Sequence, residues 1–327
     1  MAGAAPVEIR HRFVQSNGIR LHLAEAGSGP LVLLCHGFPE SWYSWRHQLH
    51  ALAGAGLHAV APDLRGYGQT DRPAAAAQYT QLHHVGDMLG VLDALGEQQA
   101  VIVGHDWGAP VAWHTALLRP DRIRGVVGLS VPYTPRGDAS FLTAIRQQLP
   151  PELDFYIAYF QEPGVAEAEL ERDVCASLRR FLYALSGDAA PDERWRPEMP
   201  KGQGVLTRTV EPKQLPAWLT EADIDFYAGE FARTGFAGGL NWYRAIDLSW
   251  ELMGAWQGAL VSQPALYIAG ERDAVIAFPG MDAVVHNLER FVPKLRKTVL
   301  LPGCGHWTQQ EFPAEVNAEL LAFIQSL

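Results

Sequence analysis

Short apolar runs separated by helix-like patterns dominate the first third of the chain. Leu31–Cys35 and His58–Pro62 are continuous apolar runs, which are typical of strands buried on both faces. Val7–Val14 and Ile19–Ala26 instead alternate between apolar and polar residues, which predicts two half-exposed strands at a sheet edge. Such an order of strands and helices is typical of parallel βαβ units. Further strands are predicted at Val101–Val103, Val126–Leu129, Ala265–Ala269 and Thr298–Leu301.

The middle of the chain has a different pattern. Residues 135–257 are rich in Glu, Arg, Trp and Tyr, and their apolar positions follow helical rather than strand spacing. We therefore predict an α-helical lid inserted into a sheet domain that consists of residues 1–134 and 258–327. The last helix is predicted to begin at Pro313, because proline suits the first turn of a helix.

Composition and charge narrow the possible functions. Of the 327 residues, 48% are hydrophobic, which is enough for a buried core and an inserted lobe. Lys and Arg number 26 against 36 for Asp and Glu, and the formal net charge of −10 makes nucleic acid an unfavourable partner. Cys35, Cys175 and Cys304 are far apart, which favours a reducing compartment over a disulfide framework.

The sequence also predicts a cytoplasmic location. The N-terminal residues MAGAAPVEIRHRF lack the basic start and apolar centre of a signal peptide. A membrane span needs about 18 consecutive apolar residues, and the sequence contains no such stretch. We therefore expect a protein without a membrane span.

The most informative segment, VIVGHDWGA, runs from Val101 to Ala109. A strand enters the pattern Gly-x-Asp-x-Gly and a helical pattern follows, so the glycines permit a sharp turn that presents Asp106 at the head of the sheet. The N–H groups at the start of the helix favour an anion there. An aspartate is already ionised at neutral pH and can displace a leaving group from an sp³ carbon, which fits epoxides and alkyl halides. The alternative is an Asp106 that only caps the helix.

Two later segments supply candidate partners for Asp106. Asp273 follows the predicted strand at Ala265–Ala269, and a glycine-flanked His306 follows the one at Thr298–Leu301. Nucleophile, acid and histidine is the chain order expected for a site on such a turn. We predict that His306 deprotonates a water that attacks an ester formed on Asp106, while Asp273 orients the imidazole. Because His306 must be neutral for this step, ester hydrolysis is expected to fail at low pH.

Hydrolysis of such an ester develops an oxyanion, which needs N–H donors. The segment LCHGFP follows a predicted strand, and the backbone N–H groups of Phe38 and Trp107 are the candidate donors. The peptide between Phe38 and Pro39 is a candidate cis bond. An ordinary turn at the end of a strand is the alternative interpretation of this segment.

These residues resemble the soluble epoxide hydrolases of the α/β-hydrolase superfamily, over essentially the whole chain. The resemblance implies an α/β-hydrolase fold, in which helices flank a mostly parallel eight-stranded sheet and a helical lid is inserted. It also implies that two lid tyrosines donate hydrogen bonds to the epoxide oxygen, and the matching positions are Tyr159 and Tyr243. The motifs that carry it are HGFPESWYSWRHQ (36–48), PDLRGYGQTDRP (62–73), GHDWGAPVAW (104–113), YFQEPGVAEAELE (159–171) and GLNWYRAID (239–247).

A phenol suits this role, because ring opening without a proton donor would release an alkoxide at neutral pH. Without the resemblance, Tyr159 and Tyr243 would be read as core or interface aromatics, since the chain has 10 tyrosines. The expected reactants are a small hydrophobic epoxide and water, with no cofactor and no metal. The predicted substrate-binding residues are Phe38, Trp107, Tyr159, Trp242, Tyr243 and Trp307.

Two other functions remain open. A haloalkane or haloacid dehalogenase also uses an aspartate nucleophile under a helical lid, but many haloalkane dehalogenases have Asn where this chain has Phe38. A ligand-binding receptor without activity would be expected to have lost part of the nucleophile, acid and histidine set. Glu40, His47 and His105 match no metal-ligand spacing, so we assign them to packing and hydrogen bonding.

Overall fold

The structure is a computed structural model that describes residues 7–327. Residues 1–6, which form part of the sequence inspected for a signal peptide, lie outside the described residues. Three strands come first, and helices and strands then alternate up to Leu129. These elements are β1 (Arg10–Ser16), β2 (Ile19–Gly27), β3 (Leu31–Cys35), α1 (Arg46–Gly54), β4 (His58–Pro62), α2 (Gln81–Leu95), β5 (Ala100–His105), α3 (Gly108–Leu118) and β6 (Ile123–Leu129).

A mostly helical segment follows β6. Its elements are α4 (Phe141–Gln148), β7 (Leu153–Phe155), α5 (Tyr156–Tyr159), α6 (Val165–Leu170), α7 (Val174–Ala184), β8 (Glu198–Pro200), α8 (Glu221–Thr234), α9 (Ala237–Arg244) and α10 (Ile246–Leu252). The side chains of Ser140, Asp173 and Thr220 cap α4, α7 and α8 by accepting a backbone N–H group. β7 and β8 form a small antiparallel sheet, which the sequence analysis missed because three residues are too few to display a strand period.

The chain then returns to the main sheet. The last elements are β9 (Ala265–Gly270), α11 (Met281–His286), β10 (Leu295–Leu301), α12 (Thr308–Glu311) and α13 (Pro313–Gln325). The predicted start of the last helix at Pro313 is confirmed. No helix within residues 7–327 combines the length and the apolar character needed to cross a bilayer.

The main sheet has eight strands in the order β1-β2-β4-β3-β5-β6-β9-β10. β2 runs antiparallel to β1 and β4, and all other neighbours are parallel. The expected mostly parallel, eight-stranded sheet is therefore confirmed. One detail is corrected: β2 is almost entirely buried rather than half-exposed, because Leu21 and Leu23 pack into the core on one face of the sheet and Ala24 and Ala26 into the core on the other.

Two apolar layers enclose the sheet. Val32 and Leu34 of β3 belong to one layer and Leu33 to the other, so alternate residues of the strand point to opposite faces. Helices α1 and α13 cover the layer of Val32, while α2 and α3 cover the layer of Leu33, which continues into the helical segment after β6. Burial on both faces explains why β3 is a continuous apolar run in the sequence.

Candidate active site

Four predicted residues meet at one edge of the sheet. Phe38 follows β3, Asp106 follows β5, Asp273 follows β9 and His306 follows β10. Because the carboxyl ends of parallel strands lie at the same edge, residues distant in the sequence become neighbours there. The structure thus brings these four side chains, each selected from the sequence, into one cluster.

Asp106 occupies a tight turn between β5 and α3. Its φ of +49° lies in the left-handed region, which a non-glycine residue adopts rarely. Neighbouring glycines make room for this turn: a Cβ on Gly108 would lie 2.0 Å from the carbonyl oxygen of Cys35, and a Cβ on Gly37 would lie 2.4 Å from the Cβ of Asp106. The spacing of glycines around Asp106 is therefore a steric requirement of this turn.

Each carboxylate oxygen of Asp106 has its own neighbour. The backbone N–H of Phe38 donates to Oδ1 at 2.8 Å, and Nε2 of His306 lies 3.5 Å from Oδ2. The peptide between Phe38 and Pro39 is cis. Among the hydrogen bonds of residues 7–327, none joins the backbone N–H of Trp107 to this carboxylate, so the second oxyanion donor stays a prediction.

His306 lies between two carboxylates and is almost completely buried. Its Nδ1 is 3.0 Å from Oδ1 of Asp273. Burial alone would lower the pKa of His306, but the negative charges of Asp273 and Asp106 outweigh it and raise the pKa well above the ordinary value. Burial would raise the pKa of Asp273, but His306 reverses that effect and lowers it. With both neighbouring carboxylates charged, the imidazole of His306 therefore favours the protonated form.

Glu40 and His105 form buried hydrogen bonds to the backbone of this cluster. Oε2 of Glu40 lies 2.8 Å from Nδ1 of His105, and the other ring nitrogen lies 2.7 Å from the carbonyl oxygen of His306. The backbone N–H of Gly37 also donates to Glu40. Although burial acts in the opposite direction, His105 and these donors lower the pKa of Glu40 to about 2. The buried, hydrogen-bonded pair of Glu40 and His105 therefore connects the backbones that carry Phe38 and His306.

A narrow cavity opens above Asp106. Apart from Asp106 and His306, its wall is apolar or aromatic. Such a wall favours an apolar ligand with one reactive polar group. The lining residues are Phe38, Pro39, Asp106, Tyr156, Phe160, Phe181, Leu185, Trp195, Tyr243, Val275, Phe278 and His306.

Two tyrosines line this cavity, and only one of them was predicted. The rings of Tyr156 and Tyr243 lie 5.9 Å apart, and burial followed by the negative charge of Asp106 raises the pKa of Tyr156. Burial, together with Tyr156 and Asp106, raises the pKa of Tyr243 well above its ordinary value. Both hydroxyl groups therefore keep their protons at neutral pH.

The prediction of Tyr159 as the second lid tyrosine is corrected. Tyr159 lies outside the cavity wall, and its hydroxyl donates to Oε2 of Glu169 at 2.9 Å. Tyr156 and Phe160, four residues apart around α5, share the side that faces the cavity. The sequence feature that could have identified Tyr156 is its four-residue spacing from Phe160. The position of Tyr159 directly before the FQEPG motif did not indicate which tyrosine faces the cavity.

Three predicted tryptophans also lie outside the cavity wall. The indole N–H of Trp242 donates to the carbonyl oxygen of Arg65, and that of Trp307 donates to the carbonyl oxygen of Leu182, both at 2.9 Å. Trp107 packs edge-on against the ring of Tyr243 at 5.0 Å. Of the predicted substrate-binding residues, the structure thus places Phe38 and Tyr243 at the cavity.

Comparison with known sequences agrees with this geometry. A family model described as alpha/beta hydrolase fold matches residues 30–313. The chain is 46% identical over 323 residues to Epoxide hydrolase 2 of Siraitia grosvenorii, covering 97% of this chain and 99% of that protein. It is 45% identical over 325 residues to Epoxide hydrolase A of Mycobacterium tuberculosis, covering 99% of this chain and 98% of that protein.

Solved structures are similar over the same length. An epoxide hydrolase from an endophytic Streptomyces superposes with a TM-score of 0.93 at 48% identity, covering 97% of this chain and 95% of that one. Epoxide Hydrolase A from Mycobacterium thermoresistibile superposes with a TM-score of 0.92 at 46% identity, covering 97% of this chain and 98% of that one. The likeness therefore extends over the sheet and the helical segment together.

Proposed function

The chain belongs to the epoxide hydrolases of the α/β-hydrolase fold, and we propose that it converts epoxides to vicinal diols through a covalent ester on Asp106. One observation carries this proposal: a carboxylate and two phenol groups face the same apolar cavity. Asp106 is the nucleophile, and Tyr156 and Tyr243 bind the epoxide oxygen. Water is the second reactant, and the route uses no cofactor or metal.

In the first step, Oδ2 of Asp106 attacks a ring carbon, and the bond between this carbon and the epoxide oxygen breaks. The electrons of that bond pass to the oxygen, which takes a proton from Tyr156 or Tyr243. Both phenols are protonated in the resting site, because burial and the charge of Asp106 raise the pKa of each. The product is a glycol monoester whose carbonyl oxygen is Oδ1.

In the second step, His306 removes a proton from a water that attacks the ester carbon. The resting imidazole favours the protonated form because two carboxylates face it. Ester formation neutralises Asp106 and removes one of these charges, so the pKa of His306 falls and its resting proton passes to solvent before it acts as the base. The imidazolium that forms when it deprotonates water then protonates the leaving diol oxygen, the proton released by the regenerated Asp106 restores the phenol, and His306 takes up a proton from solvent again.

Phe38 stabilises the charge that develops in the second step. Its backbone N–H donates to Oδ1 at 2.8 Å, the oxygen that becomes the oxyanion. We propose the backbone N–H of Trp107 as the second donor, engaged when the tetrahedral intermediate forms. A donor that is already in place needs no reorganisation during the reaction.

The groups around Asp106 favour an epoxide over a halide. A halide requires N–H donors, but Trp242 and Trp307 donate their indole N–H groups to backbone carbonyl oxygens, which leaves the indole of Trp107 as the one predicted donor. The groups that face Asp106 across the cavity are phenols, which suit an epoxide oxygen. A receptor without activity is disfavoured because Asp106, Asp273 and His306 are all present at hydrogen-bonding or near distances.

The expected substrate is a small hydrophobic epoxide, since the cavity wall is apolar apart from the reacting groups. We also propose a division into a core of residues 1–134 and 258–327 and a lid of residues 135–257, which the helices between β6 and β9 support. A cytoplasmic location remains our proposal, supported by three cysteines without a disulfide.

A single turnover in heavy-oxygen water tests the mechanism. With enzyme in excess over a hydrophobic epoxide such as styrene oxide, the first diol should contain no heavy oxygen, because its new oxygen comes from Asp106. The peptide that contains Asp106 should gain one heavy oxygen, detectable by mass spectrometry. Heavy oxygen in the first diol would mean direct attack by water on the ring, and the ester mechanism would be wrong.

A further inference from the structure

Ser130 has an unusual backbone conformation next to the reacting groups. It follows β6 directly and is completely buried, and its φ of +68° lies in the left-handed region. Glycine adopts this conformation without strain, whereas a serine does not. The backbone alone would therefore favour glycine, so the hydroxyl is the feature of Ser130 that needs an explanation.

The strained backbone is fixed from both sides. The N–H of Ser130 donates to the carbonyl oxygen of Ile268 at 2.8 Å, and the hydroxyl of Tyr267 donates to the carbonyl oxygen of Ser130 at 2.7 Å. Both partners lie on β9, the strand that leads to Asp273. These two hydrogen bonds thus fix the position of Ser130 relative to β9 and to Asp273, the acid of the proposed mechanism.

The hydroxyl of Ser130 lies next to the contact between His306 and Asp273. Its Oγ lies 3.1 Å from Nδ1 of His306, which in turn lies 3.0 Å from Oδ1 of Asp273. The single proton on Nδ1 is directed to Asp273, so the proton of the hydroxyl needs another acceptor. Oδ2 of Asp273 is buried and has no hydrogen-bond partner in the resting geometry of residues 7–327, which leaves it as the acceptor available to this proton.

We propose that Ser130 is a positioning residue for ester hydrolysis, whose hydroxyl donates to the carboxylate of Asp273 and fixes the plane in which that carboxylate holds His306. This inference rests on the proposed function. A carboxylate with one oxygen on His306 and the other on Ser130 has a defined rotation, and the imidazole then directs Nε2 to the ester on Asp106. Ester formation itself does not use His306, so only the second step depends on Ser130.

Two variants separate the hydroxyl from the backbone. Ser130→Ala removes the hydroxyl and keeps the strained conformation, whereas Ser130→Gly removes both. A hydrogen bond to a charged group predicts a decrease of about 10- to 100-fold in the rate of ester hydrolysis for both variants, with an unchanged rate of ester formation. The melting temperature of Ser130→Gly should exceed that of Ser130→Ala by about 2–4 °C, because glycine relieves the strain.

Mass spectrometry of the enzyme during single turnovers of styrene oxide measures both steps, as formation and loss of the adduct. A second readout is the proton resonance of Nδ1–H in His306, which should move upfield in both variants because Asp273 is held less firmly. The matched control is Tyr133→Phe, which removes a buried phenol that donates to the carbonyl oxygen of Ala259 at 3.1 Å, away from Asp273. It should change neither rate.

Two outcomes would overturn the role of Ser130. In one, Ser130→Gly hydrolyses the ester at the wild-type rate, so that activity follows backbone strain and not the hydroxyl. In the other, both variants slow ester formation as much as hydrolysis, which indicates general damage to the site. A different result, in which no adduct forms even in the wild-type enzyme, would contradict the proposed ester mechanism itself. It is distinguishable from the two outcomes above, because in both of them the wild-type enzyme forms the adduct.

Discussion

Replacing Tyr156 with phenylalanine removes one hydroxyl group from the cavity wall and leaves the ring in place. In the proposed first step, this hydroxyl is one of two donors to an oxygen that becomes negatively charged. Loss of one such donor typically lowers a rate by about 10²–10³, or about 2.7–4 kcal/mol of transition-state stabilisation. Because Tyr243 remains as the second donor, the rate of ester formation should decrease by that factor without falling to zero.

Tyr159→Phe is the matched control, three residues further along the chain. The hydroxyl of Tyr159 donates to Oε2 of Glu169 at 2.9 Å, and the same carboxylate also accepts the backbone N–H groups of Val205 and Leu206. Its loss should cost about 1 kcal/mol of unfolding free energy, since the contact is partly exposed. Tyr156→Phe leaves no such acceptor without its donor, so its unfolding free energy should change by less than about 1 kcal/mol.

Stopped-flow single turnovers and urea unfolding measure these two quantities. The two variants should affect different quantities. Tyr156→Phe should slow ester formation without loss of stability, and Tyr159→Phe should lose stability without a change in the rate of ester formation. A larger decrease in rate for Tyr159→Phe than for Tyr156→Phe would refute the placement of Tyr156 as the donor.

The remaining predictions concern Asp106 and His306. Asp106→Ala should abolish turnover while the circular dichroism spectrum stays native, and appreciable activity would contradict the assignment of the nucleophile. His306→Gln should accumulate the ester, seen as a mass increase equal to one substrate; a missing adduct would contradict the division of the reaction into two steps. Asp106→Asn should lower the pKa of His306 measured by NMR, because one of the two charges that raise it is removed. The raised pKa of His306 stabilises the folded state. This contribution is complete below about pH 6.5 and is lost as the pH rises through the folded-state pKa. The unfolding free energy of the wild-type chain should therefore decrease more over that range than that of Asp106→Asn. Equal losses would indicate that Asp106 does not raise this pKa.

The sequence by itself determined the features that depend on local chemistry. Continuous apolar runs marked β3 and β4 at their observed bounds, because strands buried on both faces can contain few polar residues. The glycines around Asp106 marked the tight turn, since any Cβ at Gly108 would collide with the backbone of β3. The chain order of Asp106, Asp273 and His306 then pointed to one edge of the sheet, where the carboxyl ends of parallel strands meet.

The tertiary structure decided what depends on direction and on distant neighbours. Tyr156 and Tyr159 lie on one helical turn and differ by about 60° in direction, so only the packing of α5 against the core selects the tyrosine that faces the cavity. Trp242 and Trp307 lie in site motifs, but backbone carbonyl oxygens far away in the sequence hold their indoles outside the cavity wall. Ser130 lies in none of the recognised motifs, and its position beside the contact between His306 and Asp273 depends on the pairing of β6 with β9. Period and spacing are properties of a segment, whereas the side that a residue presents is a property of everything packed around it.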